Sequence, residues 1–157
     1  MAAFVPRRLG YCHAMTQTYP DDFISRILSE TKTIALVGWS PNEARPSNRV
    51  ARFLAAKGYR VIPVNPGQAG KDALGETVVA SLSDIPKEWP VDMVDIFRRS
   101  EAVGPVVDEA LEALPGLKSV WMQLGVVNEK AAAAAKAAGV DVVMDRCPAI
   151  EYPRLLG

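Results

Sequence analysis

Hydrophobic residues in this chain follow two alternating patterns: short continuous runs, and longer stretches in which they recur every three or four positions. The first run, Ile34-Ala35-Leu36-Val37, is apolar and partly β-branched, and it predicts a strand buried on both faces. RVIPV at 60–64, VDMVDIF at 91–97, SVWMQL at 119–124 and the run at 140–144 predict further strands, with a short one near 77–79. Helical spacing appears over 21–31, where Phe23, Ile24, Ile27 and Leu28 share a face, and over 47–57, where Val50, Phe53 and Leu54 do. It appears again over 100–114, through Val103, Val106, Val107, Ala110 and Leu111, and in the alanine-rich stretch 129–138. Ser47, Ser100 and Asn128 read as N-caps of the last three, and Gly58, Pro115-Gly116 and Gly139 as their stops. The pattern weakens over 68–90, which is broken by glycine and proline and predicts one helical turn at 83–85.

Strands alternating with helices predict an α/β fold: a doubly wound, mainly parallel sheet with helices on both faces, in a single domain over 21–157. In such sheets ligands sit beyond the C-terminal strand ends, near the first strand. The segments at those ends are 38–47, 64–67, 97–99 and 123–128. The stretch TIALVGWSPNEARPS at 33–47 organises this rim. It reads as strand, glycine turn and helix start, an arrangement whose backbone N–H groups and helix dipole favour an anion.

A dinucleotide site wants G-x-G-x-x-G after the first strand and an acid at the end of the second. Here Gly38 stands alone, Ser40 and Glu43 occupy the later positions, and the second strand ends in Val64-Asn65-Pro66. A nicotinamide-dinucleotide-binding oxidoreductase is therefore left as an alternative that rests on fold analogy. The Walker pattern is absent as well. What remains is a phosphate site with looser glycine usage and basic residues, Arg45, Arg49, Lys71, Arg98 and Arg99, in or beside the rim loops.

Composition narrows the partners. The 18 basic residues balance the 18 acidic ones, so no global field recruits nucleic acid or an anionic membrane. No apolar run approaches the roughly 20 residues of a membrane helix. Cys12 and Cys147 form no disulfide framework, which fits a reducing cytoplasm, and one histidine, His13, leaves little material for a zinc site or a Ser-His triad. The basic, acid-free segment 1–20 lacks the apolar core of a secretory signal and shows no clear amphipathic helix. It is expected to be a loose extension, with Met15 as an alternative start.

The ordered motifs TIALVG with Ser40, RPSxRV at 45–50, GYxVIPVNP at 58–66 and AGK at 69–71 carry a resemblance. VDMVDIFRxSE at 91–101, WMQLGVVNE at 121–129 and VVMDRCPAIEYPRL at 142–155 continue it. Together they resemble the small bacterial CoA-binding proteins, single Rossmann-like domains related to the CoA-binding domain of the succinyl-CoA synthetase α subunit. The resemblance implies that coenzyme A lies across the rim. It places Gly38, Trp39 and Ser40 at the phosphates through backbone and hydroxyl groups, with Arg45 and Ser47 nearby. It further implies that Val64, Asn65 and Pro66 border the adenosine, that Lys71 reaches a phosphate, and that Phe97, Arg98 and Gln123 line the rest. Trp39 is bulky for a phosphate loop and is expected either to stack on the ligand or to cover the sheet edge.

The synthetase reaction needs a second domain with a phosphorylated histidine and a nucleotide-binding partner subunit, whereas the sole histidine here lies in the N-terminal segment. The expected role is thus a CoA or acyl-CoA binding module without catalytic residues, serving as a carrier, a sensor or a partner for an enzyme. An alternative rests on Cys147, which DRCP places just past the last strand, flanked by Asp145 and Arg146. There its thiol can form a mixed disulfide with CoA. Glu151 and Tyr152 are read as docking the C-terminal segment against the sheet rather than as an acid–base pair.

Overall fold

The strongest apolar runs all become neighbours in one parallel sheet. In the computed structural model, which describes residues 18–157, the chain runs α1 (Asp21–Glu30), β1 (Thr33–Val37), α2 (Pro46–Ala56), β2 (Arg60–Val64), β3 (Asp72–Ala73) and β4 (Glu76–Thr77). It continues through β5 (Met93–Ile96), α3 (Val103–Ala113), β6 (Ser119–Met122), α4 (Glu129–Ala137), β7 (Asp141–Val143) and α5 (Pro148–Leu156). The sheet order is β2-β1-β5-β6-β7, every pairing parallel. The chain leaves β1 toward β2 on one side and returns to β5 on the other, so the switch point lies between the C-terminal ends of β1 and β5.

Alternation along the central strands sorts the core into two layers. Ile34, Leu36, Met93 and Trp121 pack with α1, α2 and α5 on one face. Ala35, Val37, Val94, Ile96, Val120 and Met122 pack with α3 and α4 on the other. Each layer buries the helix stripe that the periodicity marked out: Ile24, Ile27 and Leu28 from α1, and Val103, Val107 and Ala110 from α3. Pro63 sits in edge strand β2, where a missing N–H costs no ladder bond, and its carbonyl accepts from the Val79 N–H.

Several boundaries differ from the sequence reading, each for a local reason. The expected strand at 77–79 is split. Glu76–Thr77 closes a small antiparallel hairpin with Asp72–Ala73, and Val79 bridges to Val64. The expected turn at 83–85 is a 3₁₀ turn over Leu82–Asp84. Ser47 does not cap α2. Proline is well suited to the first helical position, so the helix starts at Pro46, and the Ser47 hydroxyl turns back to accept the Ser40 N–H at 3.1 Å. Ser100 does not cap α3 either. It opens a 3₁₀ turn, Ser100–Ala102, and ties two rim loops together by accepting the Val127 N–H at 3.0 Å.

The expected extension at 1–20 lies largely outside the described residues. Of its remainder, Tyr19 stacks on Phe23 and accepts the Met144 N–H at 2.8 Å. The stretch after β7, which showed no helical pattern, forms α5 despite two prolines. Pro148 opens it and Pro153 lies inside it. Tyr152 then packs edge-on to Phe53 and Tyr59 and so docks the segment as anticipated, whereas Glu151 pairs with Arg154 at 2.6 Å within the helix itself.

Asn128 caps α4 as the sequence indicates. Its Oδ1 accepts the Ala131 N–H at 2.9 Å, and its Nδ2 donates to the Ser100 carbonyl at 2.8 Å. Asn128→Ala is expected to cost about 1–2 kcal/mol in urea denaturation, since it removes a cap and a loop tie together. Asn128→Ser, which keeps only the cap, should lose less.

Candidate functional site

Gly38 follows β1 and Phe97 follows β5, and these two residues sit side by side across the switch point. Gly38 has φ +89°, and a Cβ built on it would stand 2.3 Å from the Phe97 carbonyl oxygen. Only glycine allows the two strand ends to approach this closely. A cavity opens on either side of the contact, and both are lined by Gly38 and Phe97.

The larger cavity, about 730 Å³, lies over the α2 and α5 side. Ser40, Arg45 and Ser47 enter from the first loop and α2, Gln123 and Leu124 from the end of β6, and Cys147, Ala149 and Ile150 from the start of α5. The smaller, about 330 Å³, lies between the ends of β1, β2 and β5 and is bordered by Val64, Asn65, Pro66, Ser81, Arg98 and Glu109. The rim inferred from strand ends is thus a crevice with two lobes.

Hydrogen bonds fix the loop that separates them. The N–H groups of Gly38 and Trp39 both donate to the Val64 carbonyl, at 3.0 and 3.3 Å. The Ser40 N–H goes to Ser47 Oγ, and the Ser40 carbonyl accepts from Asn48 Nδ2 at 2.9 Å. The expectation that Gly38 and Trp39 present open amides to a phosphate therefore needs correction, because β2 takes both. α2 offers little in their place: Pro46 has no N–H, and the Asn48 and Arg49 N–H groups donate to the Arg45 carbonyl.

Positive charge comes instead from side chains. Arg45 and Arg49 line the larger lobe and Arg98 the smaller. Among the described residues none of the three forms an ion pair. Arg49 donates to the Ala44 carbonyl, which holds it against the loop.

The other residues singled out from the sequence take varied places. Trp39 is 6% exposed and packs among the core residues on the α1–α2–α5 face, so it covers the sheet edge and has no free face for stacking. Asn65, where dinucleotide proteins carry an acid, is a brace. Its Nδ2 donates to the Trp39 carbonyl at 2.6 Å and its Oδ1 accepts the Gly67 N–H at 2.8 Å. Lys71 is exposed and lines neither lobe, and Arg99 points to Glu101 at 3.9 Å. Gln123 is 6% exposed and lines the larger lobe, and its side-chain oxygen has no hydrogen-bond partner among the described residues.

Phe53, Leu124, Val126, Ala149 and Ile150 line the larger lobe without having been singled out. Phe53 follows Val50 by three positions, a spacing that placed it on the right helix face but not at the ligand rim. Ala149 and Ile150 lie in the motif at 142–155 but had no signal that placed them at the rim, because the helix that carries them showed no helical periodicity.

A family model, the CoA binding domain, matches residues 32–153. The chain belongs to this CoA-binding domain family. The matched span covers every strand and both lobes. Among relatives of this domain, the uncharacterized protein YneT of Bacillus subtilis (strain 168) is 41% identical over 124 residues, covering 79% of this chain and 87% of its own. The structure of cell-free ID.343 from Thermus thermophilus is 39% identical with a TM-score of 0.81, over 88% of this chain and all of that one. A larger neighbour is the Ca. Korarchaeum cryptofilum dinucleotide-forming acetyl-coenzyme A synthetase 1, in complex with phosphate and ADP. It is 26% identical with a TM-score of 0.58, and the match takes in 71% of this CoA-binding domain and 25% of the synthetase. The fold is the Rossmann-like one that the strand–helix alternation implied.

Proposed function

We propose that this chain binds coenzyme A or an acyl-CoA across the two-lobed crevice and acts as a binding module: a carrier, a sensor or a partner for an enzyme. The carrying observation is the pair of lobes joined at Gly38 and Phe97 and flanked by Arg45, Arg49 and Arg98, none of them in an ion pair among the described residues. An elongated ligand with phosphates near its middle matches that layout. In this reading the adenosine lies against Val64, Asn65 and Pro66, the phosphates face the guanidiniums, and the pantetheine arm enters the larger lobe past Phe97 and Gln123. Apolar walls from Val50, Phe53 and Ile150 suit such an arm. Ser40 and Ser47 hold the loop in shape, and Lys71 contributes charge from outside the lobes.

Calorimetric titration with CoA is expected to give saturable binding, weaker at high salt because exposed guanidiniums carry the phosphate contacts. No heat and no thermal shift at millimolar CoA would overturn the reading. Arg45→Ala and Arg98→Ala should each weaken binding by about ten- to a hundredfold, corresponding to the loss of one charge-assisted hydrogen bond of about 1.5–3 kcal/mol. NADH in the same thermal-shift plate tests the dinucleotide alternative. It is expected to shift the protein less than CoA, since Asn65 is committed to Trp39 and Gly67 where an acid would grip the ribose.

A further inference from the structure

We propose that Cys147 is a thiol–disulfide exchange site for the thiol end of the ligand, an inference that rests on the CoA reading and deepens it. Three observations meet in the larger lobe. Cys147 is a free thiol that lines this lobe at the start of α5, buried to 7% exposure and reached through the cavity. Gln123, more than nine-tenths buried on the same lining, has a side-chain oxygen with no partner among the described residues. A buried acceptor left unsatisfied is costly, and an amide N–H from an entering ligand relieves that cost. The lobe's outer lip is apolar as well: Leu124 and Ile150 are 55% and 51% exposed, the two largest such exposures among the described large hydrophobic side chains. An arm with apolar stretches, amide N–H groups and a terminal sulfur satisfies the lip, the acceptor and the thiol in turn. Pantetheine has that chemistry.

The step conserves electrons. The Cys147 thiol gives its proton to solvent, and its sulfur attacks one sulfur of a CoA disulfide. A Cys147–CoA bond forms, the ligand's own S–S bond breaks, and the departing CoA thiolate takes up a proton. One disulfide replaces another, with no net oxidation. Binding at the guanidiniums holds the ligand's disulfide near Cys147 and raises its effective concentration there.

The test incubates reduced protein with CoA disulfide and, in parallel, with cystamine, a disulfide of the same chemistry lacking the nucleotide. Intact-mass spectrometry and peptide mapping read the product, and calorimetry with reduced CoA runs alongside. The expected result is one CoA per chain, mapped to Cys147, reversed by dithiothreitol, retained in Cys12→Ser and lost in Cys147→Ser. Labelling by CoA disulfide should be at least about tenfold faster than by cystamine. Equal rates, an adduct confined to Cys12, or no adduct while reduced CoA still binds would overturn this inference and leave the binding reading standing. Absence of reduced-CoA binding would overturn both.

Discussion

Gly38→Ala is expected to destabilise the fold by about 3–5 kcal/mol and to abolish CoA binding. Two costs add at this position. The backbone is left-handed at φ +89°, a conformation that costs a residue with a Cβ about 1–2 kcal/mol. The new methyl also stands 2.3 Å from the Phe97 carbonyl oxygen, a backbone atom that moves only if β5 shifts against β1. Relief would draw the strand ends apart at the point where the two lobes meet. Gly58→Ala separates the two costs, because Gly58 has φ +100° and an added methyl there would meet nothing within 4 Å. That variant should lose only about 1–2 kcal/mol and keep its affinity for CoA. Thermal melts should therefore place Gly38→Ala well below Gly58→Ala, by roughly 2–4 °C for each kcal/mol of difference. Equal melting temperatures would show that the approach to Phe97 carries no energetic weight.

The second large effect is a pH dependence centred on Asp95. This residue lies in the middle of β5, fully buried, and neither carboxylate oxygen has a hydrogen-bond partner among the described residues. Strand alternation aims it at the α1–α2–α5 face, beside its register neighbours Leu36 and Trp121. Burial pushes its carboxyl well above the usual carboxylate range, so the folded chain keeps a proton that the unfolded chain releases. Between the ordinary carboxylate value and the raised one, the native state binds more protons, and stability falls as pH rises. Below the ordinary value the penalty is absent. The slope is about 1.4 kcal/mol per pH unit within that window.

Asp95→Asn removes the ionisable group while keeping its shape. It should flatten the profile and be more stable than the parent at neutral pH, the gain growing from pH 5 to pH 7. Urea denaturation of both proteins at those two pH values reads the difference directly. Parallel profiles would mean that Asp95 titrates alike in both states. VDMVDIF read as a strand in spite of its two aspartates, and the structure treats them oppositely. Asp92 accepts the Lys32 and Thr33 N–H groups through Oδ2, whereas Asp95 finds no partner among the described residues.

Much of the architecture was legible because it depends on local pattern. Runs such as 34–37 and 119–124 are too apolar to rest anywhere but inside a two-faced sheet, and the stripes of Ile24, Ile27 and Leu28 or Val103 and Val107 demand a helix against it. Asn128 and Gly58 mark helix ends by chemistry that acts within a few residues. The family was legible for a different reason, since its motifs persist in order along nearly the whole chain. Helix α5 escaped because Pro148 and Pro153 mask a short helix whose stability comes from packing on α1 and α2 rather than from its own propensity.

By itself, then, the sequence determined the strands of the main sheet, most of the helices, the rim and the identity of Gly38 as its turning point. Tertiary structure decided what the rim's groups are free to do. It committed the Gly38 and Trp39 amides to Val64, buried Trp39, turned Asn65 into a brace and left Arg45, Arg49 and Arg98 without an ion pair among the described residues. It also brought Cys147 and Gln123, 24 positions apart, to the lining of one cavity. Hydrogen-bond partners and cavity walls come from segments far apart in the chain, so local pattern holds no record of them. Only the folded sheet brings those segments together.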